Sequence, residues 1–96
     1  MRINKRVWIN GCFDVLHMGH IKLFQYAKYC EGATIIQPNW VCVGIDKDER
    51  VSKLKGPNRP INNEKDRFEF LESIKYIDEV QFFNTDLELE TKILYY

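Results

Sequence analysis

Short runs of apolar residues along the chain predict three β-strands. They lie at 6–10, 40–46 and 80–83 and are rich in β-branched and aromatic side chains, which favour extended backbone. The run at 40–46 is almost continuously apolar, as is typical of a strand covered on both faces of a parallel sheet. The first run ends before Gly11, where we expect a turn.

Between these runs, apolar residues recur at three- and four-residue spacing, which predicts helices. One helix is expected over 18–31, with Gly32 as its C-terminal stop. A second long helix is expected to begin after an N-cap at Asn63 and to continue to Ile77. A last helix is expected over 86–94.

The remaining segments are predicted to connect these elements. Residues 46–54 are expected to form only a short helical turn. The segment 55–60 holds two prolines and a glycine, which excludes regular structure and predicts a loop. Residues 33–39 are expected to form a surface excursion between the first helix and the second strand.

Strands that alternate with helices predict parallel pairing through right-handed crossovers, and hence a small three-layer α/β domain. The chain of 96 residues has the length of one domain, which we assign to residues 1–96. Ligands of such sheets bind beyond the carboxyl ends of the strands. The turns that follow Asn10, Asp46 and Phe83 are therefore the expected site.

Composition and charge argue against several classes of protein. Fourteen Lys and Arg residues balance 14 Asp and Glu residues, so the chain lacks the basic surface of a nucleic-acid-binding module. The longest apolar stretch, 40–45, is far shorter than the roughly 20 residues of a membrane-spanning helix. Three cysteines without paired spacing indicate neither a disulfide framework nor a zinc knuckle. We therefore expect a cytoplasmic protein that binds neither nucleic acid nor membrane.

The turn after the first strand carries the candidate chemistry. His17 and His20 stand three residues apart at the start of the predicted helix, so both imidazoles share one face. Unpaired N–H groups at a helix N-terminus attract phosphate, and Gly11 and Gly19 allow a ligand to approach the backbone closely. The spacing fits neither a Walker loop nor a dinucleotide-binding motif. We predict a phosphate site; the alternatives are a zinc site with Cys12 as third ligand, or a structural role.

The same turn resembles a known family. The sequence His17-Met18-Gly19-His20 after Gly11-Cys12-Phe13-Asp14 resembles the His-x-Gly-His signature of the cytidylyltransferase-like nucleotidyltransferase superfamily. Residues 55–62, Arg67 and residues 77–80 extend the resemblance to the heptose 1-phosphate adenylyltransferases, with the glycerol-3-phosphate cytidylyltransferases as close relatives.

The resemblance implies a Rossmann-like fold and a magnesium-dependent transferase. Such enzymes transfer a nucleoside monophosphate from a nucleoside triphosphate to a phosphorylated sugar or polyol, with release of pyrophosphate. ATP is favoured as the nucleotide, because the matching segments are closer to the heptose branch, and CTP is the alternative.

The resemblance also implies roles for individual residues. His17 and His20 clamp the triphosphate and stabilise the transition state, Lys55 neutralises the phosphates, and Arg67 holds the phosphate of the acceptor. The residues implied to bind the nucleotide are Gly11, Cys12, Phe13, Asp14 and Gly19. The residues implied to bind the acceptor are Asp46, Arg59 and Arg67, and Asp14 is the candidate magnesium ligand.

Several of these residues also have a structural interpretation. Asp14 is equally suited to forming a turn or capping a helix, and Lys55 to being a solvated loop lysine. Arg67 lies in the first turn of its predicted helix, where a cation opposes the helix dipole. An anionic partner is therefore expected, either a substrate phosphate or the carboxylate of Asp66 or Glu64.

Part of the family pattern has no counterpart in this sequence. Relatives continue with a strand bearing a Gly-x-Asp turn and with an Ile-Ser-Thr-Thr segment, which Thr91-Lys92-Ile93 echoes only superficially. The expected fold is therefore a Rossmann-like three-layer domain with a small parallel sheet that lacks the usual C-terminal strands. Residues 7–9 would then form an exposed edge strand, which predicts a homo-oligomer. The alternative to an enzyme is a truncated, catalytically weak or inactive module that binds nucleotide or forms oligomers.

Overall fold

The computed structural model describes residues 2–96 and contains three strands and four helices. In chain order these are β1 (Arg6–Gly11), α1 (Met18–Tyr29), β2 (Trp40–Asp46), α2 (Asp48–Lys55), α3 (Glu64–Glu72), β3 (Glu79–Phe83) and α4 (Asp86–Leu94). Within the described residues the three strands form one sheet in the order β1-β2-β3, and both pairs are parallel. The α/β prediction is therefore confirmed.

The two faces of the sheet carry different layers. Val41, Val43 and Ile45 of β2 are fully buried on one face, against Phe24 of α1 and Leu71 of α3. This cluster is the hydrophobic core. Cys42, on the opposite face of β2, is also fully buried, and burial on both faces explains the almost continuous apolar run.

The opposite face is covered from the C-terminal end of the chain. Lys92 of α4 donates a hydrogen bond to Gln81 of β3 at 3.0 Å, and the ring of Tyr96 packs edge-on against Trp8 of β1 at 5.5 Å. Helical segments thus lie on both sides of the sheet, which gives the predicted three layers.

Buried polar groups fix α1 to the sheet. The Lys28 ammonium contacts both carboxylate oxygens of Asp78 at 2.7 and 2.8 Å, and Asp78 also accepts the main-chain N–H of Val41 at 2.8 Å. Asn39 is 1% exposed, and its side-chain amide donates to the carbonyl of Ala27 near the end of α1. These contacts hold α1 at a fixed position beside β2.

Two predicted helix boundaries are wrong. Helix α3 ends at Glu72, because Ser73 turns the chain and its hydroxyl donates to the Phe70 carbonyl; Ile74 and Ile77 continue in tight turns. The apolar spacing of this segment reflects packing of Ile77 into the core rather than a continuing helix. Conversely, α2 is a helix of eight residues with acidic residues in its first turn and lysines in its last, an arrangement that complements the helix dipole.

The bounds predicted for β2 and α4 are confirmed, and those of three other elements differ by one or two residues. Helix α1 ends at Tyr29 instead of residue 31, and β1 and β3 are each one residue longer than expected. The N-cap at Asn63 is confirmed, since its side-chain oxygen accepts the N–H of Asp66 at 2.8 Å. Residues 33–39 form the expected surface excursion, in which Ile35 is 86% exposed. None of the helices formed by residues 2–96 has the length and apolar character needed to cross a membrane.

Candidate functional site

The site lies where the chain leaves β1 and enters α1, at the carboxyl end of the sheet. Phe13 adopts a left-handed backbone conformation, with φ of 49°, which turns the chain sharply. Its ring packs edge-on against Phe24 and His20, at centroid distances of 5.5 and 5.6 Å. The ring of Phe13 thus anchors the turn to the core and to one of the two histidines.

His17 and His20 cap the helix that they begin. The His17 Nδ1 atom accepts the N–H of Gly19 at 3.0 Å, and the His20 Nδ1 atom accepts the N–H of His17 at 3.1 Å. This is a reciprocal capping box in which imidazoles occupy positions that Ser or Thr and Glu commonly fill. Sequence reasoning placed the pair at the helix N-terminus but did not foresee that both rings cap it.

The capping bonds fix the tautomer of both rings. An Nδ1 atom that accepts a hydrogen bond carries no proton, so a neutral imidazole must carry its proton on Nε2. The ring centroids are 4.1 Å apart, and neither Nε2 atom takes part in a hydrogen bond within residues 2–96. The Nε2–H groups of His17 and His20 are therefore both available to donate hydrogen bonds to an anionic ligand.

The surroundings favour the neutral form of His20. Burial lowers the pKa of its imidazole, and the neighbouring His17 lowers it further. A neutral His20 keeps its Nδ1 lone pair for the capping bond and its Nε2–H for a ligand. His20 can thus donate a hydrogen bond from Nε2 near neutral pH while it caps the helix through Nδ1.

Gly19 and Gly11 leave space for the neighbouring rings of His17 and Phe13. A Cβ on Gly19 would lie 2.7 Å from Cε1 and 2.9 Å from Nδ1 of His17, closer than real contacts allow. A Cβ on Gly11 would lie 3.1 Å from the ring of Phe13. In this structure Gly19 therefore permits the position of the His17 ring.

Asp14 binds the loop that precedes α3. Its two carboxylate oxygens accept the main-chain N–H groups of Ile61 and Asn62, both at 2.7 Å. Burial raises the pKa of the carboxyl, but these hydrogen bonds and the nearby Arg67 and Arg59 offset this, and the net pKa lies below its ordinary value. The carboxylate stays charged and acts as a local acceptor, and its role as a magnesium ligand stays a prediction.

Arg67 is buried beneath the site rather than presented on its surface. The residue is 1% exposed, and its guanidinium donates to the carbonyls of Cys12, Asp46 and Asn62 at 2.7 to 3.0 Å. Its charge is paired with the carboxylate of Asp48 at 2.7 Å, and not with Asp66 or Glu64. Arg67 thus joins the ends of β1 and β2 to α2 and α3, and its contact with an acceptor phosphate stays a prediction.

Lys55 is the last residue of α2, and not part of the following loop as expected. Burial raises the pKa of the Cys12 thiol, and the positive charge of Lys55 is the leading influence that opposes this. Arg59 lowers the pKa of Asp14 in the same way. Both cations therefore lie within electrostatic reach of the turn after β1.

Asp46 is engaged by a residue that sequence reasoning missed. The Arg50 guanidinium contacts the Asp46 carboxylate at 2.6 Å and the Asp86 carboxylate at 2.7 Å, and so joins β2, α2 and the start of α4. The spacing of four residues between Asp46 and Arg50 is a signal that could have been used. Asp48 and Asn62 carry no such local signal, because their partners are distant in sequence.

A cavity of about 260 Å³ opens beside these contacts. It lies between the turn after β1 and the start of α3, with mostly apolar walls and the polar groups of Asp14, Asn62 and Arg67 at its edge. Within residues 2–96 no group of three or more His, Cys, Asp or Glu side chains is placed to hold a metal ion, and the zinc interpretation of the histidine pair lacks its third ligand.

The sequence matches that of known proteins over almost its whole length. Residues 8–94 match the family described as cytidylyltransferase-like. The protein named bifunctional protein HldE is 42% identical in Hyphomonas neptunium, over 84% of this chain and 15% of that protein, and 43% identical in Caulobacter vibrioides, over the same shares. The chain thus spans about a sixth of the length of these curated relatives.

The fold also matches a solved structure. The crystal structure of the lipopolysaccharide core biosynthesis protein from Thermoplasma volcanium superimposes with a TM-score of 0.71 and 24% sequence identity, over 93% of this chain and 66% of that one. This similarity confirms the Rossmann-like three-layer fold. On the match over residues 8–94, the chain belongs to the cytidylyltransferase-like family.

Proposed function

We propose that this domain is a nucleotidyltransferase, which transfers a nucleoside monophosphate from a nucleoside triphosphate to a phosphorylated sugar or polyol and releases pyrophosphate. The observation that carries the proposal is the histidine pair, whose Nδ1 atoms are fixed by capping bonds and whose Nε2–H groups are left to donate. They stand at the N-terminus of α1, where the helix dipole favours an anion.

The reaction needs positioning and charge stabilisation rather than a protein nucleophile. An oxygen of the acceptor phosphate attacks the α-phosphorus, a new P–O bond forms, and the bond to the bridging oxygen of the β-phosphate breaks. The electron pair of that bond leaves with pyrophosphate. His17 and His20 donate hydrogen bonds to oxygens that gain charge in this step, and Lys55 neutralises the leaving phosphates.

The nucleotide is proposed to be ATP, with CTP as the alternative, and the acceptor to be heptose 1-phosphate, glycerol 3-phosphate or a related phosphorylated small molecule. Relatives named HldE and a structural neighbour from lipopolysaccharide core biosynthesis support a sugar phosphate. The basis for ATP is the resemblance of residues 11–14 and 55–57 to the heptose branch. Asp46 and Arg59 are proposed to contribute to acceptor binding.

Magnesium is proposed to enter with the triphosphate. Mg²⁺ in such sites is commonly held by one or two carboxylates together with substrate phosphates. Asp14 fits this limited role, because each of its oxygens accepts one N–H and keeps a lone pair. The ion would supply further neutralisation of the phosphate charge.

The rival function is a catalytically weak or inactive module that binds nucleotide or forms oligomers. It is favoured by the position of β1, which has β2 as its one strand neighbour within residues 2–96. We also propose a homo-oligomer on this ground. Pyrophosphate release separates the enzyme from the rival module.

The cytoplasmic setting is part of the proposal, supported by three free cysteines, Cys12, Cys30 and Cys42.

The first test is thermal unfolding of the chain with ATP or with CTP, each with magnesium. A ligand present at 100 times its Kd adds about 2.7 kcal/mol to the free energy of unfolding, which is easily resolved. We expect stabilisation by ATP that is lost in His17→Ala, followed by pyrophosphate release when heptose 1-phosphate is added. No stabilisation by either nucleotide contradicts the proposal, and stabilisation without pyrophosphate release with any of the named acceptors favours the rival module.

A further inference from the structure

The loop between α2 and α3 is attached to the turn after β1 through Asn62. The main-chain N–H of Asn62 donates to the Asp14 carboxylate at 2.7 Å, and its side-chain amide donates to the Asp14 carbonyl. Its own carbonyl accepts Nε of Arg67 at 3.0 Å. Asn62 therefore uses main-chain and side-chain groups together to join two segments that are 48 residues apart in sequence.

The segment held in this way connects the two cations of the site. It begins after Lys55, the last residue of α2, and Arg59 lies three residues before Asn62. The Ser52 hydroxyl of α2 donates to the Arg59 carbonyl at 2.6 Å, and within the segment the Arg59 N–H donates to the Gly56 carbonyl. Release of Asn62 would free the far end of the segment that carries Arg59 and begins directly after Lys55.

We propose that Asn62 is a positioning residue, which fixes residues 56–62 against the turn after β1 and so places Lys55 and Arg59 for a triphosphate held by His17 and His20. The inference rests on the proposed function. It assigns Asn62 no contact with substrate: the main-chain N–H and the side-chain NH2 donate to Asp14, and the main-chain carbonyl accepts from Arg67.

The neighbouring Asn63 provides a matched control. Its side chain caps α3 by accepting the N–H of Asp66 at 2.8 Å. Asn63→Ala removes this helix cap, whereas Asn62→Ala removes the side-chain hydrogen bond to the Asp14 carbonyl and leaves the main-chain N–H of residue 62 in place. A general loss of folding would affect both variants, and circular dichroism is used to choose a temperature at which both are folded.

The first measurement is amide hydrogen exchange without ligand, and it does not depend on the proposed function. We expect Asn62→Ala to speed exchange of the Ile61 amide, which donates to Asp14, by about tenfold or more relative to Asn63→Ala. Equal exchange rates in the two variants would overturn the claim that Asn62 holds this segment.

The second measurement is the dissociation constant of ATP with magnesium in a double-mutant cycle. We expect Asn62→Ala to weaken binding by about tenfold in the wild-type background and by less than about twofold when Lys55 and Arg59 are both alanine. Asn63→Ala should change affinity by less than about twofold. Equal losses in both backgrounds overturn the positioning role. If the wild type does not bind ATP, the cycle is measured with CTP. Failure to bind either nucleotide overturns the proposed function itself, and the exchange measurement still reports whether Asn62 holds the segment.

Discussion

The two ring nitrogens of His17 have different roles, and this difference explains why an imidazole occupies the capping position. Nδ1 accepts the Gly19 N–H inside the helix cap, while Nε2–H has no partner within residues 2–96. A serine or aspartate in this position would cap the helix equally well but would offer no second donor on a rigid ring. The helix cap thus orients the Nε2–H group that is proposed to donate a hydrogen bond to phosphate.

Two substitutions at His17 separate its two roles. His17→Ala should lower the free energy of unfolding by about 0.5–2 kcal/mol through loss of the N-cap, whereas His17→Asn should keep it, because Asn is a strong N-cap residue. Both should lower the rate of pyrophosphate release by about 10²–10³, because both remove the Nε2–H donor. Urea unfolding and a pyrophosphate assay measure the two effects. Full activity in His17→Asn would contradict the donor role.

Asp14 should make stability depend on pH in the acid range. Its folded pKa lies below its ordinary value near 4, so the stabilisation is present above the unfolded pKa and is lost as the pH falls through the folded pKa. Asp14→Asn should cost on the order of 1–3 kcal/mol at pH 7, because one charged acceptor of two N–H groups is lost.

Urea unfolding of the wild type and of Asp14→Asn at pH 7, 5 and 3 measures this linkage. The difference between the two proteins should be the same at pH 7 and 5 and smaller at pH 3. Asp66→Asn, which removes an exposed carboxylate from α3, is the control. If the difference in the free energy of unfolding is unchanged at pH 3, the pKa of Asp14 is not lower in the folded state than in the unfolded state.

At the scale of elements, prediction succeeds where the side-chain pattern and the local turn chemistry agree. The strand 40–46 and the N-cap of α3 at Asn63 are confirmed. Both depend on residues that are close together in the sequence. The predicted extension of α3 to Ile77 is wrong, because a side chain can reach the core from a tight turn as well as from a helix. The spacing of apolar residues reports burial first and backbone conformation second.

The packing of β1 on β2 can be tested at Gly44. A Cβ at this position would collide with Cζ2 of Trp8, so Gly44→Ala forces the indole ring to move. Overpacking of this kind costs about 1–3 kcal/mol, which urea unfolding resolves. The cost should fall in a Trp8→Phe background, where the smaller ring leaves room. An equal cost in both backgrounds would show that Trp8 is not the obstacle.

At the scale of the whole molecule, the alternation of strands and helices predicted the layers and the edge of the sheet where the site lies. The contacts that assemble the site were not predictable in the same way. Arg67 was expected to face a substrate phosphate or the carboxylate of Asp66 or Glu64, and its carboxylate partner is Asp48, 19 residues earlier. Asp14 pairs with Asn62, 48 residues later. Each of these partners is chosen by the packing of the fold, which no local spacing encodes.

The edge of the sheet at β1 gives the last prediction. Within residues 2–96 only β2 pairs with β1, and Val7, Trp8 and Ile9 are partly exposed, so this strand presents main-chain groups and apolar surface to a second copy. We therefore expect a dimer at high concentration that dissociates on dilution.

Light scattering with size-exclusion chromatography at several concentrations measures this association. Asn10→Lys, which places a charge on the exposed side of β1, should shift the mass toward the monomer, since lysine on an edge strand opposes pairing with another chain. Gln25→Lys adds the same charge on exposed α1 and should leave the mass unchanged. A monomer at all concentrations, or equal effects of the two lysines, would contradict association through β1. A monomer at all concentrations would favour a site that functions without a partner copy.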